Sequence, residues 1–225
     1  MTDEVMKAEK RAYEKVIRMI AHEVNNTTAG ITSTLDTVEQ ALSTEEGMED
    51  ICDVMRVCME RCFSMSRFIT RFADVVKIPE PTVAAVRLNE LVCMCKRFME
   101  GMCNDRNIIL RLECDPEVGQ VRLDASLFEQ VLVNIIKNAA ESIGEEGNIF
   151  IRTSVFPTML EIADTGAGIS KEVEAKLFSP FFSTKPNGQG IGLIFIREVL
   201  MKHGCTFSLR TYSDGLTRFR IRFSA

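Results

Sequence analysis

Tryptophan is missing from this chain of 225 residues, and histidine and tyrosine occur only twice each. With 6 prolines, 13 glycines and 46% hydrophobic residues, the composition excludes collagen-like, low-complexity and disordered proteins. No apolar run approaches the ~18 residues that predict a membrane-spanning helix. The first ten residues, MTDEVMKAEK, are too charged for a signal peptide. The composition is typical of a globular protein with one or two domains.

Basic residues are in the minority, with 27 Lys and Arg against 32 Asp and Glu, so the net charge is −5. Nucleic-acid-binding proteins usually carry a basic face, and we therefore expect no nucleic-acid partner and no direct membrane contact. The 8 cysteines lack the paired spacing and the nearby histidines of a zinc site. Without a secretory signal, the chain is expected to be cytoplasmic, with free thiols buried as small hydrophobic side chains.

The first 78 residues contain no proline, and their apolar residues recur at helical spacing in two stripes. In the second stripe the steps alternate between four and three residues, as in a heptad seam. Between the stripes, residues 43–47 (STEEG) favour a turn. We predict an antiparallel helical hairpin over 1–78, and a second copy that completes a four-helix bundle because two helices bury too little alone. The first stripe consists of Ile17, Ile20, Val24, Thr27, Ile31, Leu35, Val38 and Leu42, and the second of Ile51, Met55, Cys58, Cys62, Met65, Ile69, Phe72 and Val76.

The pattern changes after residues 78–81 (IPEP), which end the helical periodicity. We expect a linker at 79–83 and, over 84–225, helices and strands that mix without regular alternation, which favours an α/β sandwich of the α+β class. Asn89 and Asp124 are the expected N-caps of two of the helices. Predicted strands cover 83–88, 108–112, 120–123, 148–155, 159–163, 206–211 and 218–223, and predicted helices cover 89–103, 125–143 and 191–203.

Two polar motifs in the second half are candidates for ligand binding. Asn134 and Asn138 lie one turn apart on the same helix face, and their carboxamide oxygens suit a Mg²⁺ ion held among phosphates. On this helix alone, a solvated polar stripe is the simpler explanation. Residues 164–168 (DTGAG) directly follow a predicted strand. Their glycines allow a ligand to approach the backbone, and the Asp164 carboxylate can accept a hydrogen bond from an amine such as N6 of adenine.

Two further motifs follow along the chain. Residues 177–187 (LFSPFFSTKPN) place aromatic side chains before a polar, basic segment, which is typical either of the anchor of a mobile flap or of an ordinary packed loop. Residues 188–192 (GQGIG) run into a predicted helix, where backbone N–H groups can meet a phosphate chain. The P-loop and Rossmann patterns do not fit, because neither their spacing nor a parallel βαβ unit is present.

In their order and spacing, these four motifs resemble the N box, first glycine box, F box and second glycine box of sensor histidine kinases of the nitrogen-regulator-like subgroup, which belong to the Bergerat-type ATPase superfamily. This resemblance covers about residues 84–225. Residues 21–27 (AHEVNNT) resemble the H box of the dimerisation and phosphoacceptor helix. His22 falls off the apolar stripe and is expected to be exposed, with Asn26 one turn further along the same face.

The resemblance implies ATP-dependent phosphorylation of His22 and transfer of the phosphoryl group to an aspartate in a response regulator receiver domain. It implies ATP and Mg²⁺ as cofactors, a homodimer, and an upstream sensor region outside this chain, which would then be the cytoplasmic part of a longer membrane-bound sensor. Glu23 would act as general base or orient the imidazole, and Asn26 would position water in a phosphatase reaction on the regulator. For the nucleotide site, the resemblance implies that Asn138 binds Mg²⁺ with Asn134 beside it, and that Asp164 recognises adenine. Gly166 and Gly168 would shape the adenine pocket, and Lys137 and Lys185 would contact phosphate. Gly188, Gly190 and Gly192 would let the lid close over the phosphates, and Thr217 matches the last conserved motif of the family.

The chain also departs from the family pattern. Thr27 stands where the H box usually has proline, which puts an assumed bend of that helix in doubt. Asn134 stands where gyrase-like relatives place a water-activating glutamate, which favours transfer over hydrolysis. Two alternatives stay open. One is a degenerate nucleotide-binding dimeric scaffold that relays conformation without kinase activity. The other is a serine kinase like the anti-sigma-factor relatives, which lack a long phosphoacceptor hairpin.

Overall fold

The computed structural model of the chain describes residues 3–45, 47–76, 78–179, 182–183 and 190–224. Within these ranges, side chains are described for all residues except 3–16, 18, 71, 72 and 74–76. The chain divides into two compact units, Met1–Ile78 and Pro79–Ala225. Among the described residues, no helix combines the length and hydropathy that crossing a membrane requires.

The first unit is a helical hairpin made of α1 (Asp3–Leu42) and α2 (Glu49–Val76). Its apolar contacts include Ile17 and Ala21 of α1, which are buried with Ala73 of α2. One turn after Ala21, side-chain hydrogen bonds link α1 to α2. Asn25 Nδ2 donates to Thr70 Oγ1 at 3.0 Å, and Ser66 Oγ donates to Asn25 Oδ1 at 2.8 Å. Both ends of the Asn25 carboxamide are therefore satisfied across the hairpin, which favours one register of the two helices.

Each hairpin helix covers only one side of the other, and several residues of both predicted stripes face outward. The Phe72 and Val76 side chains of the second stripe lie outside the described residues. Ile20 is 49% exposed, Ile31 45% and Val38 38% on α1, while Ile51 is 45% and Met65 49% exposed on α2. The buried positions include Ile17, Ala21 and Thr28 on α1 and Cys52 and Ala73 on α2. The heptad pattern therefore marks more apolar surface than an isolated hairpin can cover.

The cysteines follow the predicted behaviour in part. Cys52, Cys95, Cys103 and Cys205 are buried free thiols, and burial raises the pKa of Cys95 and of Cys205 to about 11. The expectation of burial is wrong for Cys58, which is exposed. Cys58 lies on the outward side of α2, where the hairpin alone provides no covering element.

The second unit contains a mixed five-stranded sheet in the order β2-β4-β5-β7-β6 and a small antiparallel pair, β1-β3. Strands β2 and β4 pair in parallel, and the other neighbours in the large sheet are antiparallel. The predicted elements are present within one or two residues of the expected bounds, and a short helix, α5, is additional. The elements are β1 (Ala84–Arg87), α3 (Leu88–Asn104), β2 (Ile108–Cys114), β3 (Gln120–Leu123), α4 (Ala125–Ile143), β4 (Gly147–Ser154), β5 (Met159–Asp164), α5 (Lys171–Glu174), α6 (Gly192–Lys202), β6 (Thr206–Thr211) and β7 (Thr217–Arg222).

One face of the large sheet packs against α3, α4 and α6. Alternate residues of the strands, such as Ile149, Ile162 and Phe219, are buried on this face with Phe128 and Leu132 of α4. The intervening strand residues point away from the helices, because side chains alternate across a strand. The predicted class, a helical hairpin followed by an α/β sandwich, is confirmed.

Asp124 caps α4 as predicted. Its Oδ1 accepts from Leu127 N at 3.1 Å, its Oδ2 accepts from Thr82 N at 2.8 Å, and its own backbone N–H donates to His203 Nε2 at 2.9 Å. The Leu127 and Thr82 N–H groups lower the pKa of the Asp124 carboxyl. One side chain thus holds the start of α4 and the chain that leads into β1.

Asn89, by contrast, is not an N-cap, because α3 begins at Leu88 and Arg87 takes the capping position. The Asn89 side chain makes tertiary contacts instead. Its Nδ2 donates to Asp115 O and its Oδ1 accepts from Thr153 Oγ1, each at 2.8 Å. Asn89 therefore links α3 to the ends of β2 and β4, a role that its local sequence does not reveal.

Replacing Asp124 by Ala is expected to lower the free energy of unfolding by about 1 kcal/mol, the usual contribution of an N-cap. Asp124→Asn, which keeps an acceptor oxygen, should lose less. The carboxyl pKa is lower in the folded chain than in the unfolded chain, so its contribution is present at neutral pH and lost as the pH falls through the folded-state value. Urea unfolding at neutral and acid pH measures both effects. Equal stability of Asp124→Ala and the native chain at neutral pH would contradict the capping role.

Candidate functional site

Helix α4 presents a polar face next to a fully packed one. Asn134 and Asn138 are half-buried, and neither carboxamide is hydrogen-bonded to another residue that the structure describes. The neighbouring face is buried, and its apolar residues recur at helical spacing. This packed face consists of Phe128, Val131, Leu132, Ile135 and Ala139. The two carboxamide groups are therefore held on a rigid helix with their hydrogen-bonding capacity available to a ligand.

The loop after β5 is tied to the C-terminal end of α4. Asp164, the last residue of β5, is 6% exposed and accepts a hydrogen bond from Gly166 N at 2.9 Å. Ala167 N donates to Ser142 O at 3.2 Å. A Cβ on residue 166 would lie 2.7 Å from the backbone carbonyl carbon of Ser142, which cannot move aside, so only glycine fits there. Because Ser142 lies one turn beyond Asn138, the loop and the polar face of α4 form one site.

Thr217 closes the site from the neighbouring strand. It is 3% exposed and lies directly opposite Asp164 in the β5–β7 pairing. Its hydroxyl is 2.9 Å from Thr211 Oγ1, which in turn accepts a hydrogen bond from Ile169 N at 2.7 Å. Gly168, at a φ of +79°, passes beside the same Thr211 side chain. Thr211 therefore positions the glycine loop.

Sequence reasoning missed Thr211, because the residue ends a strand and belongs to none of the motifs. The sequence offered one indication of its role: Thr211 ends the first strand of the last predicted hairpin. In the structure, the antiparallel register of that hairpin brings Thr211 opposite Thr217. That register is a tertiary property, and the local pattern around Thr211 gives no information on it.

The structure describes only some of the other residues that are predicted to bind the nucleotide. Gly190 has a φ of +65°, which favours glycine, and Gly192 is the first residue of α6. Lys137 is exposed, with its ammonium group 3.9 Å from the Glu141 carboxylate. Lys185 and Gly188 lie outside the described residues.

The predicted phosphoacceptor lies on the surface of α1. His22 and Glu23 are exposed, and Asn26 Nδ2 lies 3.0 Å from His22 Nδ1. The nitrogen and oxygen of a carboxamide can exchange places by a flip. With Asn26 Oδ1 turned toward the ring, it accepts from Nδ1–H and the lone pair of Nε2 is left available. Asn26 can thus select the imidazole tautomer whose outer nitrogen is a nucleophile.

The helix around His22 continues without interruption through Thr27, the position that carries proline in the family pattern. Thr28 Oγ1 donates to Val24 O at 2.6 Å and Thr32 Oγ1 donates to Thr28 O at 2.9 Å. Hydroxyl groups that bond back onto the preceding turn slightly weaken and bend helices. The segment after His22 therefore contains local bending elements other than proline.

The residues of the second unit fit a nucleotide with a metal ion. The buried Asp164 carboxylate suits the amino group of a flat ring, and the Asn134 and Asn138 carboxamides suit a hard cation. No group of three or more His, Cys, Asp or Glu side chains within the described ranges could hold a metal ion. A cation at this place would therefore take most of its ligands from phosphate oxygens and water.

Residues 123–225 match the family described as histidine kinase-, DNA gyrase B-, and HSP90-like ATPase. Among curated proteins, the sensor histidine kinase ZraS of Salmonella typhi is 25% identical over 217 residues, which cover 92% of this chain and 46% of ZraS. The sensory histidine kinase/phosphatase NtrB of Rhodobacter capsulatus is 25% identical over 232 residues, covering 96% of this chain and 63% of NtrB. The chain thus spans less than two thirds of the length of these relatives.

Among solved structures, the catalytic domain of the histidine kinase ThkA is 30% identical with a TM-score of 0.58, covering 63% of this chain and 94% of that domain. ThkA in complex with the response regulator protein TrrA matches 99% of this chain and 68% of that chain, with a TM-score of 0.64 and 22% identity. At this identity the second likeness concerns the fold alone, which extends over both the hairpin and the sandwich.

Replacing Thr211 by Val removes the hydroxyl that holds Ile169 N while keeping the shape of the side chain. The loss of this part-buried hydrogen bond, about 1.4 kcal/mol, should loosen the glycine loop and weaken binding of a fluorescent ATP analogue about tenfold. Thr211→Ser keeps the hydroxyl and should bind as the native chain does. Fluorescence titration in the presence of Mg²⁺ measures the three affinities. Native-like binding by the Val variant together with weak binding by the Ser variant would mean that the methyl group, and not the hydroxyl, is what matters.

Proposed function

Because this chain belongs to the sensor histidine kinase family, we propose that it is an ATP-dependent protein-histidine kinase with His22 as the phosphoacceptor. One observation carries the proposal. His22 is exposed and contacts Asn26 through Nδ1, and its Nε2 has no hydrogen bond to another described residue. The same chain carries the site formed by Asp164, Gly166 and the Asn138 face of α4, whose features suit a nucleotide.

At His22 the reaction needs a neutral ring with the proton on Nδ1. After a flip of the Asn26 carboxamide, Oδ1 accepts a hydrogen bond from Nδ1–H, and the Nε2 lone pair forms a bond to the γ-phosphorus while the bond from that phosphorus to the leaving oxygen of ADP breaks. The attack leaves positive charge on the ring. Glu23, adjacent in sequence and exposed, supplies the carboxylate that stabilises this charge or takes the Nδ1 proton.

On the nucleotide side, Asp164 accepts a hydrogen bond from the adenine amino group, and Gly166 and Gly168 let the ring lie against the backbone. Asn138, with Asn134 beside it, would hold Mg²⁺, which would neutralise charge on the phosphates. The other family assignments are Lys137 and Lys185 for phosphate contact, Gly188, Gly190 and Gly192 for lid closure, and Thr217 for the floor of the pocket. A carboxamide at Asn134 cannot act as a general base toward water, which favours transfer over hydrolysis.

The acceptor of the second transfer is an aspartate in a response regulator receiver domain. ThkA, which shares the fold, forms a complex with a response regulator, and NtrB is described as both kinase and phosphatase. Asn26 is the residue that would position water for hydrolysis of the regulator's phospho-aspartate, which releases inorganic phosphate, because its carboxamide lies beside the phosphoacceptor ring. Asn26→Ala should then impair dephosphorylation of the regulator.

The hairpin is proposed to dimerise into a four-helix bundle. Ile31 and Val38 are seven residues apart, share one face of α1, and are exposed together with Ile20. The isolated hairpin leaves these apolar side chains exposed. Packing against a second hairpin would remove their surface from water, which is favourable. The proposal thus accounts for the outward half of the apolar stripes.

Light scattering should give a mass near twice the 25.3 kDa of one chain. Ile31→Glu combined with Val38→Glu places charges in the proposed interface and should yield monomers at micromolar concentration. Ser33→Glu, an exposed position on the other side of α1, is the matched control and should stay dimeric. A native chain that is monomeric at micromolar concentration would contradict the bundle.

Incubation with Mg²⁺ and γ-labelled ATP is expected to give acid-labile label on the native chain and none on His22→Gln. The chain has one other histidine, His203, so His203→Gln is the matched control and should keep the label once circular dichroism shows that it folds. Label that persists on His22→Gln would exclude His22 as the acceptor. Nucleotide binding without label on the native chain would favour the non-catalytic scaffold.

A further inference from the structure

The net charge of −5 conceals a surface of the opposite sign. On the face of the large sheet that points away from the helices, the strand residues are rich in arginine, and we call this surface the arginine face. The alternation of buried and exposed residues along β2 and β7 directs these side chains outward. Its cations are Arg111, Arg152, Arg210, Arg218, Arg220 and Arg222, and its carboxylates are Glu113, Glu161 and Asp214.

The strand register arranges these residues in rows across the sheet. Arg111 of β2 and Arg210 of β6 belong to one row, at the two edge strands, with four strand spacings between them. At about 4.8 Å per spacing, the two backbones are about 19 Å apart. This row is Arg111, Phe150, Ala163, Arg218 and Arg210, and the next is Glu113, Arg152, Glu161, Arg220 and Ser208.

Two aromatic rings support the guanidinium groups. Phe150 lies under Arg111 and Arg152, with ring-to-guanidinium distances of 5.8 and 5.2 Å. Tyr212 lies under Arg210, Arg218 and Arg220, at 5.9, 4.8 and 4.6 Å. Cation–π contact holds arginine side chains flat against the sheet and reduces the entropy lost when they bind a partner.

The arginines near the centre of the face are already neutralised. Glu161 is 7% exposed, and its carboxylate lies 2.7 Å from Arg220, 3.6 Å from Arg152 and 3.7 Å from Arg218. The Arg218 guanidinium also pairs with Asp214 and lowers the pKa of that carboxyl to about 2.

The outer arginines differ from the central ones. Arg111, Arg210 and Arg222 are exposed, and none of them forms an ion pair with another described residue. The excess positive charge of the face is therefore located on the two edge strands and at the end of β7.

We propose that the arginine face is a docking surface for an acidic segment of a protein partner, whose carboxylates pair with Arg111, Arg210 and Arg222. The guanidinium fork matches a carboxylate in two parallel hydrogen bonds. Ile109, 54% exposed on the same face, offers an apolar contact that a peptide can also use.

A protein partner fits the face better than a membrane or a nucleic acid does. Glu113, Glu161 and Asp214 lie among the arginines, and a dense array of phosphates would be repelled by these carboxylates. A protein segment can instead place discrete carboxylates over the outer arginines and leave the centre uncharged. An extended chain advances about 3.3 Å per residue, so about six residues reach from Arg111 to Arg210.

The test measures binding of two labelled octapeptides to the full chain by fluorescence anisotropy at an ionic strength of about 0.15 M. The end-charged peptide, Glu-Glu-Ser-Ser-Ser-Ser-Glu-Glu, carries its carboxylates at both ends, and the centre-charged peptide, Ser-Ser-Glu-Glu-Glu-Glu-Ser-Ser, carries the same four carboxylates together. The end-charged peptide can reach both edges of the sheet and should bind at least tenfold more tightly than the centre-charged peptide. The double variant Arg111→Glu/Arg210→Glu should lose at least tenfold in affinity for the end-charged peptide. The matched control, Lys171→Glu/Lys176→Glu, makes the same charge change at exposed positions off the sheet and should bind as the native chain does.

Three results would overturn the proposal. Equal losses in the control and in the Arg111→Glu/Arg210→Glu variant would mean that the peptide responds to diffuse charge. Equal affinities for the end-charged and the centre-charged peptide would exclude bridging across the sheet. Phosphatidylserine vesicles or an oligonucleotide that bind through the same arginines as tightly as the end-charged peptide does would assign the face to phosphate-bearing partners. Titration with a fluorescent ATP analogue verifies that both variants keep the nucleotide site, so the result is independent of the proposed kinase activity.

Discussion

The close approach of Gly166 to Ser142 is the constraint on which the candidate nucleotide site depends. The residue-166 backbone passes α4 where no Cβ fits, and the hydrogen bond from Ala167 N to Ser142 O holds it there. This contact brings the buried Asp164 carboxylate next to the helix face that carries Asn138. A hydroxyl relay from Thr211 supports the same loop from the other side. The groups proposed to recognise adenine and Mg²⁺ therefore lie close together because one loop packs on one helix end.

The sheet serves different purposes on its two faces. Toward the helices, apolar residues and Thr217 form the core and the floor of the site, since this face is covered. Away from them, arginines lie over Phe150 and Tyr212 and surround the buried Glu161 carboxylate. A buried carboxylate must be paired, because an isolated charge in a low-dielectric environment is costly. The ion pairs of Glu161 satisfy that requirement at the centre of the face and leave the outer arginines available.

In the hairpin, too, the packing of one element on another determines which residues are buried and which stay exposed. A helix pair covers one side of each helix, so Ile20, Ile31 and Val38 stay exposed while Ile17 and Ala21 are buried. Asn25, bonded to Ser66 and Thr70, adds a polar contact that only one register satisfies. Since His22 lies one turn before Asn25, the register of the hairpin also determines where the imidazole is presented. The exposed apolar residues and the exposed histidine are thus two consequences of one helix packing arrangement.

Periodicity and capping are local properties, and they account for what could be predicted from sequence alone. The spacing of apolar residues gave the helix and strand bounds to within one or two residues. It also placed Asn134 and Asn138 on one face and His22 outside the apolar stripe, and Asp124 was identifiable as a cap. Contacts between distant segments could not be read in this way. Whether Asn89 caps a helix or bridges two strands, whether Thr211 reaches Ile169, and which arginines share a row depend on strand register and helix packing. Those are decided when the whole core is buried, because a shift of one residue in a strand would exchange its two faces.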